Sequence, residues 1–210
     1  MSEKLQCDAL IFDMDGTLWD AVDSYARIWN TTLEQAGITD VAQVTRQTLM
    51  REMGKHLEDI IKDLVPGHDR DGRFLQLLND NEATMMPGLR GRLYDGVTEA
   101  IPELARRLPL FMVSNCGPLG LENFLDVNGL RPYIKDALSH GGTGLDKAGN
   151  ITLLVHKYGL KHPVYVGDTQ GDSDAAHAAG AKMIYCAYGF GNVKDPDAVI
   201  HCFGELESIV

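Results

Sequence analysis

From residue 96 onward, short apolar runs alternate with amphipathic stretches, and this alternation constrains the fold more than any other feature of the chain. The runs at 110–113, 136–139, 164–166, 183–187 and 199–203 have the length and composition of buried strands, while 97–108, 118–128, 148–158 and 172–179 carry helical spacing. Strand and helix in alternation is the pattern of βα units, which pack into a parallel sheet. Gly129, Gly159 and Gly180 stand where three of the helices should stop. Pro102 sits awkwardly inside the first and predicts a late start or a kink. One more strand-like run, residues 9–12, lies far upstream. Between residues 20 and 87 nothing reads as a strand. Helical spacing at 20–37, 41–53, 55–65 and 69–85, punctuated by Gly54, Pro66-Gly67 and Pro87-Gly88, predicts an all-helical insertion. The expected architecture is an α/β core with a Rossmann-like parallel sheet (residues 1–18 and 92–210) and an inserted helical cap domain (19–91).

The ends of the strand-like runs carry the chemistry. Residues 9–12 stop abruptly on Asp13 and Asp15, followed by Gly16 and Thr17. In open α/β sheets ligands bind just beyond the carboxyl ends of strands, so acids there are site candidates, although Asp and Gly also make ordinary turns. Ser114 and Asn115 follow the run at 110–113; a Ser in that place is commonly a helix N-cap. Lys147 opens a helix after a loop containing Gly141, Gly142 and Gly144. This is not a phosphate-binding P-loop, because Asp146 replaces the required Gly and Ala148 the required Ser or Thr. Asp168 and Asp172 follow the run at 164–166. Helix capping accounts for Asp172, whereas Asp168 ends an apolar strand that has no structural need of a charge. Other patterns fail. Asp13-x-Asp15-Gly16 lacks the glycine and glutamate positions of a calcium loop, residues 189–191 lack the third glycine of a dinucleotide fingerprint, and no histidines have zincin spacing.

Taken in order, Asp13-x-Asp15-Gly16-Thr17, Ser114, Lys147 and Gly167-Asp168-x-x-x-Asp172 resemble the four motifs of the haloacid dehalogenase superfamily. The resemblance spans nearly the whole chain, and Asp15 separates it from dehalogenases proper, which lack the second acid. It implies a phosphatase of the phosphoglycolate phosphatase-like kind with a helical cap. Asp13 would be the nucleophile and Asp15 the general acid and base. Thr17, Ser114 and Lys147 would complete the catalytic set, and Ser114, Asn115 and Lys147 would bind phosphate. Mg²⁺ would be held by Asp13, Asp15 (through its main-chain carbonyl) and Asp168, with Asp172 orienting from behind. The Lys147 match departs from the family pattern, since Ala148 replaces the usual Pro. Two rivals share the scaffold. Sugar-phosphate mutases of the β-phosphoglucomutase type carry a His in the first cap helix, where this chain has Tyr25. A non-catalytic binding protein should have lost the nucleophile, lysine or metal acid, and none is lost.

Residues 49–55 resemble the family's cap loop that closes over substrate, and its Arg51 and Lys55 are candidates for recognising a second negative group. Composition bounds the partners. A formal charge of −11 argues against nucleic acid or an anionic membrane and leaves a small phosphorylated metabolite as the expected partner. No run approaches the length of a membrane span, and the amino-terminal residues carry no apolar signal region. The four cysteines have no zinc spacing and read as reduced thiols of a cytoplasmic protein. Substrate identity and oligomeric state are left open by the sequence.

Overall fold

The computed structural model describes residues 4–210. In chain order its strands are β1 (Ala9–Phe12), β2 (Trp19–Asp20), β3 (Arg92–Leu93), β4 (Leu110–Ser114), β5 (Ile134–Ser139), β6 (Pro163–Gly167), β7 (Lys182–Cys186) and β8 (Ala198–Ile200). The helices are α1 (Val22–Gln35), α2 (Arg46–Met50), α3 (Leu57–Leu64), α4 (Arg73–Leu89), α5 (Val97–Ala105), α6 (Gly120–Val127), α7 (His140–Thr143), α8 (Lys147–Tyr158), α9 (Gln170–Ala178) and α10 (Leu206–Ile209). Six strands form a parallel sheet of Rossmann type in the order β5-β4-β1-β6-β7-β8. The chain builds outward from β1 to β5 on one side, then returns to build β6 to β8 on the other. That reversal makes the carboxyl end of β1 a topological switch point, where ligands bind in such sheets.

β1 is buried on both faces, which explains why it reads as an unbroken apolar run. Its side chains alternate between two clusters. Leu10 and Phe12 join one that includes Ile101, Phe124 and Phe203, while Ala9 and Ile11 join another with Ile151, Leu154 and Ala176. The first cluster continues without a break into the helical insertion, taking in Trp29, Leu33, Ile60, Phe74 and Leu78. The insertion, α1 to α4, leaves and rejoins the sheet through the antiparallel ribbon β2–β3, with Trp19 opposite Leu93 and Asp20 opposite Arg92. Among the described residues no helix is long and apolar enough to cross a membrane.

Several element boundaries differ from the sequence expectation, each for a local reason. The helix expected over 41–53 is only Arg46–Met50. The Asn30 side chain accepts from Val44 N at 2.9 Å and donates to Val44 O at 2.7 Å, which holds the preceding segment extended. Thr45 and Thr48 then close a reciprocal cap that starts the helix. The helix expected to end before Pro87 runs on to Leu89. Proline at that position deprives the Ala83 carbonyl of its helical donor, and Asn123 Nδ2 on α6 supplies one at 3.3 Å. Pro102 neither delays α5, which begins at Val97, nor ends it. The strand expected over 199–203 is Ala198–Ile200.

Candidate active site

The turn after β1 sends its two acids in different directions. Gly16 adopts φ +78°, a conformation that L side chains rarely take, and a Cβ there would lie 2.2 Å from Asp168 Oδ2. The amides of Leu18 and Trp19 return to the Met14 carbonyl at 2.9 and 3.3 Å and tighten the turn. Asp13 stays at the end of the sheet, its amide bonded to Val166 O at 2.9 Å. Asp15 turns toward the helical insertion, where Trp19 Nε1 donates to its Oδ1 at 2.9 Å and the Tyr25 hydroxyl reaches its Oδ2 at 3.4 Å.

Four side chains, from α8, α9, β4 and the turn after β6, converge on Asp13. Lys147, the first residue of α8, is buried, and its ammonium lies 3.0 Å from Asp13 Oδ1 while also bonding Asp172 Oδ1. Asp172 is saturated. Its other oxygen accepts from the amides of Asp168 and Thr169 at 3.1 and 2.9 Å and from the Thr169 hydroxyl at 2.8 Å. Asp168 differs, since Phe190 N donates to its Oδ2 at 2.7 Å but its Oδ1 is buried with no hydrogen-bond partner. Ser114, at the end of β4, completes the group and lines the cavity above Asp13.

Three carboxylates and one ammonium leave this buried cluster negative. The electrostatics follow: burial, reinforced by Asp172, pushes Asp13 up to about 7 against the pull of Lys147. Burial with Asp172 and Asp13 holds Asp168 well above the ordinary carboxylate range. Burial works against the Lys147 charge, but the two acids outweigh it and raise its affinity for the proton. Asp15 is likewise held well above the ordinary range, first by burial and then by Asp13 and Glu82. One oxygen each of Asp13, Asp168 and Asp172 lie within 4.8 Å of one another. An all-oxygen donor set, with an orphaned Asp168 oxygen and excess negative charge, fits a hard divalent cation such as Mg²⁺. Asp172 already spends both oxygens on Lys147 and on α9, so Asp13 and Asp168 are the carboxylates free to hold it.

The cavity over Asp13 has a volume of about 70 Å³ and is walled by both parts of the chain. Ser114, Asn115 and Lys147 line it from the sheet, with Trp29, Leu49, Ile60 and Glu82 among the residues lining it from the insertion. Across the seam, Asn115 Nδ2 donates to Gly54 O at 2.8 Å and the His56 and His140 rings stand 4.0 Å apart. Among the expected site residues, Asp13, Asp15, Ser114, Asn115 and Lys147 share this cavity; Asp168 and Asp172 sit behind Asp13. Thr17 is fully buried and does not line the cavity, and its carbonyl accepts from the Tyr188 hydroxyl at 2.8 Å. Arg51 is exposed and outside the lining; Lys55 contributes to the wall, but its ammonium is paired with Glu52 and Asp63 at 2.5 and 2.7 Å.

The sequence reading missed Trp19 and Tyr25 as partners of Asp15, the Phe190 amide as the partner of Asp168, and Glu82. The glycines around Phe190 were the available signal. A Cβ on Gly189 would fall 2.3 Å from Asp168 Cβ, so that loop is glycine-rich to lie against the acid.

A parallel sheet whose switch point carries paired acids, a buried lysine and a hydroxyl defines an α/β enzyme built to handle an anionic group. Residues 10–186 match the family model for haloacid dehalogenase-like hydrolases. The chain belongs to that family. Its curated relatives include a phosphoglycolate phosphatase of Synechococcus elongatus, 27% identical over 193 residues and covering 87% of this chain and 84% of the relative. Another, from Agrobacterium fabrum, is 28% identical and covers 93% and 89%. Among solved structures, a predicted phosphoglycolate phosphatase from Haemophilus somnus superposes with a TM-score of 0.83 at 23% identity, covering 99% of both chains.

Proposed function

We propose that the chain is a Mg²⁺-dependent phosphoric monoester hydrolase that cleaves a small phosphorylated metabolite through an aspartyl-phosphate intermediate. The observation that carries this reading is Lys147 buried between Asp13 and Asp172, beside an Asp168 oxygen without a partner. The names of the curated relatives support a phosphoglycolate phosphatase-like activity, and the four free thiols support a reducing, cytoplasmic location.

In this mechanism an Asp13 oxygen attacks phosphorus in line, forming an acyl phosphate as the P–O bond to the alcohol breaks. Asp15, which retains its proton because it is buried beside other acids, gives that proton to the departing alkoxide. Trp19 and Tyr25 fix its direction. Asp15 then takes a proton from the water that attacks the acyl phosphate, which releases inorganic phosphate and restores Asp13. Ser114, Asn115 and Lys147 hold the transferring oxygens. Mg²⁺ held by Asp13, Asp168 and the Asp15 carbonyl would neutralise the excess charge of the cluster and orient the phosphoryl group. Residues 19–91 act as a cap that opens at the β2–β3 ribbon to admit substrate and closes through the Asn115–Gly54 contact to exclude water.

Phosphate release from p-nitrophenyl phosphate tests the reading. Activity is expected with Mg²⁺, none after exhaustive chelation, and a loss of at least a hundredfold in Asp13→Asn with an unchanged circular dichroism spectrum. Persistent turnover by that variant, free of contaminating enzyme, removes Asp13 from the role of nucleophile.

A further inference from the structure

The cavity wall contributed by α4 contains a residue that packing does not explain. Phe74, Leu78, Glu82 and Met86 recur every four residues along that helix and are all buried, so a carboxylate occupies one position of an otherwise apolar stripe. Glu82 is only 7% exposed, lines the cavity, and hydrogen-bonds to no described residue. The neighbouring Asn81 shows what a structural polar group looks like on this helix. Its amide donates to the Thr32 hydroxyl and to Gln35 Oε1, both at 2.9 Å. Buried polar groups are nearly always partnered. Glu82 also borders a second groove beside Asn79 and Gly117, but on the side of Asp13 and Asp15 a bound substrate is placed to supply the partner it lacks.

The charges around the cavity narrow what that partner is. Asp13, Asp15 and Glu82 line it, and the two lysines that also do so are engaged, Lys147 by Asp13 and Asp172 and Lys55 by Glu52 and Asp63. A leaving group bearing a carboxylate would meet three acids and no uncommitted cation, whereas a hydroxyl or an ammonium would donate to Glu82 whether or not it holds its own proton. The cavity is also small, about 70 Å³, which favours a short alcohol over a bulky one.

We infer that Glu82 recognises the leaving group by accepting a hydrogen bond from it, so that the substrate is the monophosphate of a small diol or amino alcohol and not of a hydroxy acid. This rests on the phosphatase reading for the reaction and parts from the curated relatives in the alcohol released; the recognition itself is a binding property that can be read separately.

The test compares kcat/KM for glycerol 3-phosphate, phosphoethanolamine, 2-phosphoglycolate and ethyl phosphate, in the wild type, Glu82→Met and Glu82→Gln. Met suits the apolar stripe, so that variant is expected to fold. For the wild type, one of the two donor-bearing esters should exceed ethyl phosphate at least tenfold, and phosphoglycolate should not. In Glu82→Met that advantage should fall at least tenfold, while phosphoglycolate gains relative to ethyl phosphate. Glu82→Gln separates the two donors: an ammonium loses its charged partner and falls as far as with Met, whereas a hydroxyl keeps an amide carbonyl and falls less. A wild-type preference for phosphoglycolate, or ratios that stay within threefold in Glu82→Met, overturns the inference. If no ester is hydrolysed, p-nitrophenyl phosphate included, the phosphatase reading fails instead. The same ratios are then read from dissociation constants by calorimetry, with the same two outcomes.

Discussion

The two sides of the active-site cavity are built on opposite terms. On the sheet side the charged groups are tied to one another. Lys147 bridges Asp13 and Asp172, and Asp172 is saturated, while the buried oxygens left without a partner there are those of Asp168, Asn115 and Thr17. On the insertion side the wall is mostly apolar, with Glu82 left unpaired in it. Saturated networks are rigid and hold reacting groups at fixed distances. An apolar wall with one polar group has little influence on a phosphate but strong influence on whatever is attached to it. On the proposed reading the reaction belongs to the strand ends and the choice of alcohol to the helices.

That division can be broken by substitution. Asp13→Asn should lower turnover at least a hundredfold for every ester alike; a substrate-dependent loss would mean that the sheet side also discriminates. Lys147→Met should reduce stability by about 3–5 kcal/mol in urea denaturation, because it leaves the Asp13 and Asp172 carboxylates buried and uncompensated. A small change there would mean the cluster is not the rigid element described. Glu82 should leave its mark on pH dependence. Burial pushes its carboxyl from an ordinary 4.5 up to about 7, so the folded state keeps a proton that the unfolded chain releases. Stability should fall as pH rises through that window, by about 3 kcal/mol in full. The wild type minus Glu82→Gln difference isolates this slope, and a flat difference would place the carboxyl in water. The smallest effects belong to the insertion's surface. Lys55→Ala and Arg51→Ala should each alter stability by less than about 1 kcal/mol and kcat/KM by less than threefold for any ester, phosphoglycolate included. A larger loss confined to phosphoglycolate would restore them as anion-recognising residues.

The strand ends were legible because a buried run that stops on Asp13, Ser114 or Asp168 has few ordinary explanations. Helix boundaries were less so. Asn30 holding Val44, and Asn123 supplying the donor that Pro87 removed, are contacts between segments distant in sequence, and local propensity carries no trace of them. The orientation of Asp15 was hidden for the same reason, since both Asp13 and Asp15 end the same strand and only the turn separates their directions. Glu82 was the hardest to see. In a helix of mixed polarity one more glutamate reads as solvated, and its meaning appears only when α4 packs against the loop after β4.

The β2–β3 ribbon bears on how such a chain can change over time. Its strands run side by side, so the sheet meets the insertion as it would meet a hairpin, whatever lies between Asp20 and Arg92. The separation of the two ends is fixed by one strand pairing, and closure entropy grows only with the logarithm of loop length. Helices can be lengthened, exchanged or rewritten there without shifting Asp13, Lys147 or Asp168. A lineage can thus acquire a new substrate while inheriting the reaction intact.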